Sequence, residues 1–443
     1  MSYRFRNILF TFFVIIFVVL TTFFSLYATG YKISLSSLQR GGAVIQKTGI
    51  LVLDSEPKGA DISLLRRFRG LLFDDDVLKN KKLKTPYKIK NLLPGEYVLN
   101  LDLDGYWPWQ QKINIYPGHS TYVEDIVLFK RSLPISFFSA NTQDISLCPL
   151  DKKIILQDDN KLIDLKSEQE VQLGSSVNEI EFLGPSRVIL NNSLLFNYDS
   201  NKYVDLPKNI SPVNSKLKIK NDYLFYLEDG LKKYSFSSKK KSTVFSLDGI
   251  IDYDFYNNFY FLIREENAEI FFQIYYYRQK ELFRSIKLPP SDNYEIIPLS
   301  FNSSFVYVYD KSLRKIYIIN TAFKFNSYWS VVDNVNGFNF IDANNFVYYS
   351  DSEIYMFNSV LAEKFLLGRF DSKIKGLVWH PKNYIIYSNE KEIVILDLKY
   401  DKQAINLVSL EKGGNLVLDK IGSVLYFTGK IGNQEGLYKL FIQ

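Results

Sequence analysis

The stretch Gly376-Leu377-Val378-Trp379-His380-Pro381-Lys382-Asn383-Tyr384-Ile385-Ile386-Tyr387-Ser388, followed by Glu392-Ile393-Val394-Ile395-Leu396-Asp397-Leu398, decides the architecture of most of the chain. An apolar run leads into a polar turn, a second run ends in Tyr-Ser, and a third follows after a short break. Apolar runs of this length, bounded by turn residues and rich in β-branched and aromatic side chains, read as buried strands. The same order recurs outward from this copy. Asp222-Tyr223-Leu224-Phe225-Tyr226-Leu227 pairs with Leu231-Lys232-Lys233-Tyr234, and Asn345-Phe346-Val347-Tyr348-Tyr349-Ser350 with Glu353-Ile354-Tyr355-Met356-Phe357. Units begin near Asp144, Asn178, Lys216, Ile250, Tyr294, Gly337, Lys375 and Asn415, a spacing of about 33 to 44 residues that marks a repeat architecture. Short-strand modules of this size predict a β-propeller over 133–443. The last unit, 415–443, holds three strands, so 133–138 is expected to supply the fourth and close the ring. The spacing fits seven or eight blades.

Upstream, residues 49–130 have a different texture. Ile50-Leu51-Val52-Leu53 runs into the turn Ser55-Glu56-Pro57-Lys58-Gly59-Ala60, and Asp61-Ile62-Ser63-Leu64 resumes alternation. Thr85-Pro86-Tyr87 opens another strand, Leu93-Pro94-Gly95-Glu96 is a turn, and Tyr97 to Leu103 alternates with period two. Ile113, Ile115 and the run from Val123 to Phe129 supply the last strands. Some six short strands in about eighty residues predict a small antiparallel β-sandwich. The turns, in order Ser55-x-Pro57-x-Gly59-Ala60, Thr85-Pro86, Leu93-Pro94-Gly95-x-Tyr97, Gly105-Tyr106 and Gly118, resemble the PEGA domain. That resemblance implies a non-catalytic sandwich of surface and envelope proteins. The chain departs from the pattern between Leu64 and Thr85, where an insertion replaces a tight hairpin. A solvated hairpin extension is expected there. A second reading puts Arg66, Arg67 and Arg69, with Phe68, Leu71, Leu72 and Phe73, against lipid headgroups. Calcium binding by Asp74, Asp75 and Asp76 is disfavoured, because adjacent residues of a strand face opposite sides. In the propeller region, the Trp379-His380-Pro381 unit resembles the repeats of TolB-like and WD-repeat propellers, which supports the architecture.

The amino end carries ILFTFFVIIFVVLTTFFSLY, residues 8–27, with no charge. Twenty helical residues span about 30 Å, the hydrocarbon thickness of a bilayer. Arg4 and Arg6 precede the run without an acid, which keeps that end cytoplasmic and places everything after Thr29 outside. A cleaved signal peptide is the rival, but the run exceeds the usual apolar core and Leu26-Tyr27-Ala28 is a poor cleavage site. The expected organisation is a cytoplasmic tail and signal anchor at 1–29, a linker at 30–48, the sandwich at 49–130 and the propeller at 133–443.

Charge and motifs bound the function. Fifty-four basic and 48 acidic residues are interspersed, and Lys239-Lys240-Lys241 beside Ser237 and Ser238 reads as a solvated turn, so nucleic acid is not expected as a partner. One cysteine, Cys148, excludes an internal disulfide and reads as a buried inert thiol. The two histidines, His119 and His380, lie in different predicted domains and read as structural. No nucleophile elbow, phosphate loop or dinucleotide fingerprint occurs. No catalytic, cofactor-binding or metal site is therefore assigned, and no cofactor is implied. Tyr275-Tyr276-Tyr277, Phe255-Tyr256 and Tyr307-Val308-Tyr309 are read as packing between blades, with stacking on sugar rings as the alternative. The expectation is a non-enzymatic envelope protein whose propeller binds a protein or glycan. The alternative is an extracytoplasmic hydrolase or lyase acting on polysaccharide, with carboxylates converging on the propeller axis.

Overall fold

The computed structural model describes residues 3–33, 45–66, 75–76, 82–139, 145–147, 153–156, 160–165, 169–173, 177, 180–183, 187–191, 194–197, 200, 202–203, 217–220, 223–256, 258–297, 304–322, 327–399 and 404–443. One helix, α1 (Tyr3–Ala28), opens the chain. Its hydroxyl side chains do not oppose an apolar environment, because Thr11, Thr21 and Thr22 donate back to the carbonyls of Asn7, Phe17 and Val18 at 2.9, 2.7 and 2.8 Å. The segment Arg6–Ala28 is long and apolar enough to cross a membrane by length and composition. The chain divides into two compact units, built mainly from Met1–Ser132 and from Leu133–Leu398 with Ala404–Phe441.

In the first unit β1 (Tyr31–Ile33) pairs antiparallel with β2 (Ile45–Lys47), strand structure in a stretch whose sequence reads only as a spacer. The strands that follow are β3 (Gly49–Glu56), β4 (Asp61–Arg66), β5 (Asp75–Asp76), β6 (Leu83–Lys84), β7 (Tyr87–Leu92), β8 (Gly95–Asp102), β9 (Trp109–Ile115) and β10 (Ser120–Val127). One sheet has the order β10-β3-β7. The other has β5-β4-β8-β9, with β6 also on β4. The sandwich is mixed rather than wholly antiparallel, because β10 runs parallel to β3 (Ser120↔Ile50, Val123↔Leu53). Only a tight hairpin forces neighbours to reverse, and the remaining strands of the sandwich separate these two. Between the sheets lie Leu51, Leu53, Leu64, Tyr97, Leu99 and Trp109, each at most 2% exposed.

The turn residues quoted above meet in one buried knot. Ser55 Oγ donates to Pro57 O at 2.9 Å, so its 2.6 Å contact with Thr85 Oγ1 uses the Thr85 proton. Thr85 Oγ1 in turn accepts the N–H of Ala60 at 3.1 Å. Arg66 donates to Pro94 O at 2.7 Å and lies 5.9 Å from the centre of the Tyr97 ring, fixing the Leu93-Pro94-Gly95-Glu96 turn. Arg67, Phe68, Arg69, Leu71, Leu72, Phe73 and Asp74 lie outside the described residues, as does Cys148. The inserted segment returns along β4 through Leu65↔Asp76 and Asp61↔Lys84.

The second unit is a β-propeller. Among the described residues it comprises eight four-stranded antiparallel sheets. Strand A, the innermost of each, begins at Ile145, Ile180, Lys218, Ile250, Tyr294, Gly337, Ile374 and Lys412, within three residues of the unit starts read from the sequence. Seven sheets use consecutive strands A to D. The eighth consists of Lys412–Leu418, Val424–Ile431 and Gln434–Phe441, completed by β11 (Ile135–Ser139), which pairs with the last of these (Ile135↔Lys439, Ser139↔Gly436). Neighbouring sheets share cores around the ring. Ile155 and Leu162 of the first meet Val188 and Phe196 of the second, and Ile154 and Ile163 of the first meet Tyr426 and Leu437 of the eighth.

Candidate binding face of the propeller

Antiparallel order puts the A–B and C–D connections of every sheet on one side of the ring and the B–C and D–A connections on the other. Inner strands lie level with one another, as Asp252 of the fourth sheet shows. Its carboxylate is fully buried and accepts the N–H of Tyr253 at 2.9 Å and that of Ile296, in the fifth sheet, at 2.6 Å.

Exposed large apolar side chains are divided unevenly between the two sides. Tyr223, Tyr276, Leu282, Tyr328, Trp329, Val360, Leu361 and Ile421 sit in or beside A–B and C–D connections. Among the described residues the other side has Leu313 in a B–C connection and Tyr203 at the end of a strand D. Packing in the fifth and sixth sheets holds one group in place. Trp329 Nε1 donates to Ser359 O at 2.9 Å, and the buried Tyr307 hydroxyl lies 2.7 Å from Ser359 Oγ. Trp329 is thereby fixed beside Val360 and Leu361, which are 50% and 61% exposed.

A second group joins the third sheet (A, Lys218–Lys220; B, Tyr223–Leu227; C, Leu231–Ser235; D, Lys241–Phe245) to the fourth (A, Ile250–Tyr256; B, Phe259–Glu266; C, Glu269–Tyr276; D, Leu282–Leu288). Lys220 Nζ is 4.9 Å from the Phe255 ring centre and 5.0 Å from that of Tyr277, which stacks on Tyr260 at 4.7 Å. Burial lowers the Lys220 pKa, partly offset by the Asp254 carboxylate. Tyr276 is 36% exposed and rests on Phe259 and Phe283 at 5.5 and 5.1 Å.

Most aromatic residues singled out in the sequence belong to the core. Tyr275 is buried and donates to Gln273 Oε1 at 2.9 Å, and the Tyr309 hydroxyl donates to Val335 O at 3.0 Å. Phe255 and Tyr256 are half-buried, so Tyr276 alone of these clusters is exposed. His119 Nδ1 is 2.9 Å from Pro117 O in a turn of the first unit. His380 is buried within the propeller, with both ring nitrogens bonded to backbone. Of the carboxylates on the inner strands, Asp254 pairs with Lys218 at 2.9 Å and Glu295 with Lys311 at 2.7 Å. Among the described residues no group of three or more His, Cys, Asp or Glu side chains is placed to hold a metal ion. The Trp329 and Leu361 group was not singled out in the sequence. Its signal is large apolar residues in a connection rather than a strand, which only a correct strand register reveals.

Comparison with known proteins separates the two units. Residues 48–128 match the PEGA domain family. The chain carries a PEGA domain. No curated protein matches the chain in sequence. Three solved structures are similar to the propeller at low identity. BamB from Moraxella catarrhalis is 11% identical over 71% of this chain and 100% of that one, with a TM-score of 0.45. The Dos1 propeller is 13% identical over 71% and 96%, with a TM-score of 0.49. Dipeptidyl peptidase 4 from Porphyromonas gingivalis is 10% identical over 66% and 57%, with a TM-score of 0.46. The propeller downstream of the PEGA domain stands on its own sheet order and closure.

Proposed function

We propose that the chain is a membrane-tethered, extracytoplasmic binding protein that carries out no chemistry. The apolar segment Arg6–Ala28 is its single span with the amino end in the cytoplasm, and the A–B/C–D face of the propeller grips a protein or glycan of the cell envelope. The uneven distribution of exposed apolar side chains carries this reading. Large apolar groups gathered on one side of a ring are a feature of interaction surfaces, whereas isolated ones are ordinary. The PEGA domain supports it as a module between span and propeller.

The test is site-specific photo-crosslinking on intact cells. A photoreactive residue replacing Leu361 is expected to form a discrete adduct, and one replacing Leu313, on the opposite side, is not. Adducts at both positions or at neither would count against a single binding face. An impermeant label that reaches the propeller only after lysis would refute the orientation.

A further inference from the structure

Charge is sorted by side in the third and fourth sheets. Their C–D connections, 236–240 and 277–281, together with Lys241, carry Lys239, Lys240, Lys241, Arg278 and Lys280 against Glu281, all exposed, and the A–B connections on this side add one acid in sequence, Asp222, outside the described residues. Their B–C turns, adjoining strand ends and D–A connections carry Glu228, Asp229, Asp248, Glu265, Glu266 and Asp292. The cations nearest this acidic side are already engaged, Lys232 with Glu228 at 3.2 Å and Arg264 with Glu266 at 3.4 Å. On the basic side, no ion pair is found among the described residues for Lys239, Lys240, Arg278 or Lys280. Four like charges held by turns and left uncompensated raise the local positive potential and favour a polyanion.

Aromatic faces accompany these cations. Tyr223 begins strand B of the third sheet, is 37% exposed and has Lys233 Nζ 4.4 Å from its ring centre. Tyr276 ends strand C of the fourth, propped on Phe259 and Phe283. Both open onto the same side as the basic connections. A tyrosine face packs against the C–H face of a sugar ring, while the cations pair with carboxylates carried on that ring.

Building on the binding function proposed above, we infer that this basic and aromatic rim binds a carboxylated polysaccharide, a chain of uronic-acid type. A nucleic acid would demand a broader basic surface than the C–D connections of two sheets. A neutral glycan would leave the four cations without a role.

The experiment titrates the detergent-solubilised full chain with an oligogalacturonate of about ten units, its methyl ester, single-stranded DNA of equal charge and polyglutamate, followed by calorimetry. Oligogalacturonate is expected to bind, and to weaken as salt is raised to several times the starting ionic strength. Methyl esterification, and separately the variant Lys239→Ser/Lys240→Ser/Arg278→Ser, should each lower affinity about tenfold. Tyr276→Ser and Tyr223→Ser should lower it severalfold, and Asp229→Asn on the acidic side should not. Unchanged thermal unfolding of each variant keeps folding out of the comparison, and either tyrosine variant suffices if the other is unstable. The inference is overturned if oligogalacturonate does not bind, if the ester binds equally, if the triple variant binds as well as the parent, or if DNA or polyglutamate binds more tightly. An impermeant amine label on intact cells separates the two failures. When Lys239 and Lys240 are labelled but oligogalacturonate does not bind, only the glycan assignment falls. When they are not labelled, the display of this face outside the cell falls with it.

Discussion

The Nε2 atom of His380 lies 2.9 Å from the carbonyl oxygen of Gly422, joining the seventh sheet of the propeller to the eighth. The other ring nitrogen, Nδ1, accepts the N–H of Lys382 at 3.1 Å, so the imidazole proton is on Nε2 and donates to Gly422. A second bond, from Ser388 Oγ to Gly414 O at 2.7 Å, ties the same two sheets. Replacing His380 by Leu is expected to lower propeller stability by about 1–3 kcal/mol, because it leaves the buried carbonyl of Gly422 without its donor. Gly422→Ala should also destabilise. Gly422 has φ +88°, and a Cβ there would stand 2.5 Å from His380 Nε2. Denaturant midpoints of the two variants check both expectations.

Asp252 makes an equivalent joint between the fourth and fifth sheets. Ala at this position removes the acceptor for two backbone N–H groups and should cost about 3 kcal/mol. Asn should cost less, because one oxygen remains while its amide nitrogen cannot accept. Chemical denaturation ranking Asn as worse than Ala would show that the carboxylate does not bridge these sheets.

Alkali should unfold the chain through its buried tyrosines. Burial pushes Tyr97 up to about 12, partly opposed by Arg66, and burial likewise pushes Tyr307 up to about 12. Each hydroxyl is neutral and bonded in the folded state, so its contribution is fully present below the unfolded pKa of about 10 and is lost as pH rises through 12. Two pKa units correspond to about 3 kcal/mol for each residue. Burial also raises Tyr260, Tyr348 and Tyr387. Tyrosinate absorbance from the buried class should therefore appear together with loss of β-sheet circular dichroism between about pH 10 and 12. Smooth ionisation near pH 10 with the sheets intact would contradict the burial.

Removing residues 434–443 should abolish cooperative propeller unfolding, because β11 loses its partner strand and the eighth sheet loses half its strands. Limited proteolysis of the truncated chain should then cleave throughout 133–433, whereas the full chain should be cut only in its connections.

The sequence disclosed the fold through repetition and punctuation. Trp379-His380-Pro381 marks the end of one strand and the turn before the next because a buried strand must be apolar and its turn polar, and those signals are local. The Ser55, Ala60 and Thr85 knot was legible in the same way, as turn residues in a fixed order. The parallel pairing of β3 with β10 was not, since nothing near Ile50 records which strand reaches it after seventy residues of chain. The binding face was hidden for a related reason. Trp329 and Leu361 look like core residues until their strands are placed, and Lys239 and Arg278 fall on one side only once the register of both sheets is known.

The strand swap between the two ends of the propeller also sets a timetable. β11 is made first, yet its only sheet neighbour, Gln434–Phe441, leaves the ribosome about 300 residues later. At roughly 5–20 residues per second the ring stays open for about 15 to 60 s. Throughout that interval the flank of the first sheet that carries Ile154 and Ile163 waits for Tyr426 and Leu437, so this apolar surface stays bare until the latch arrives.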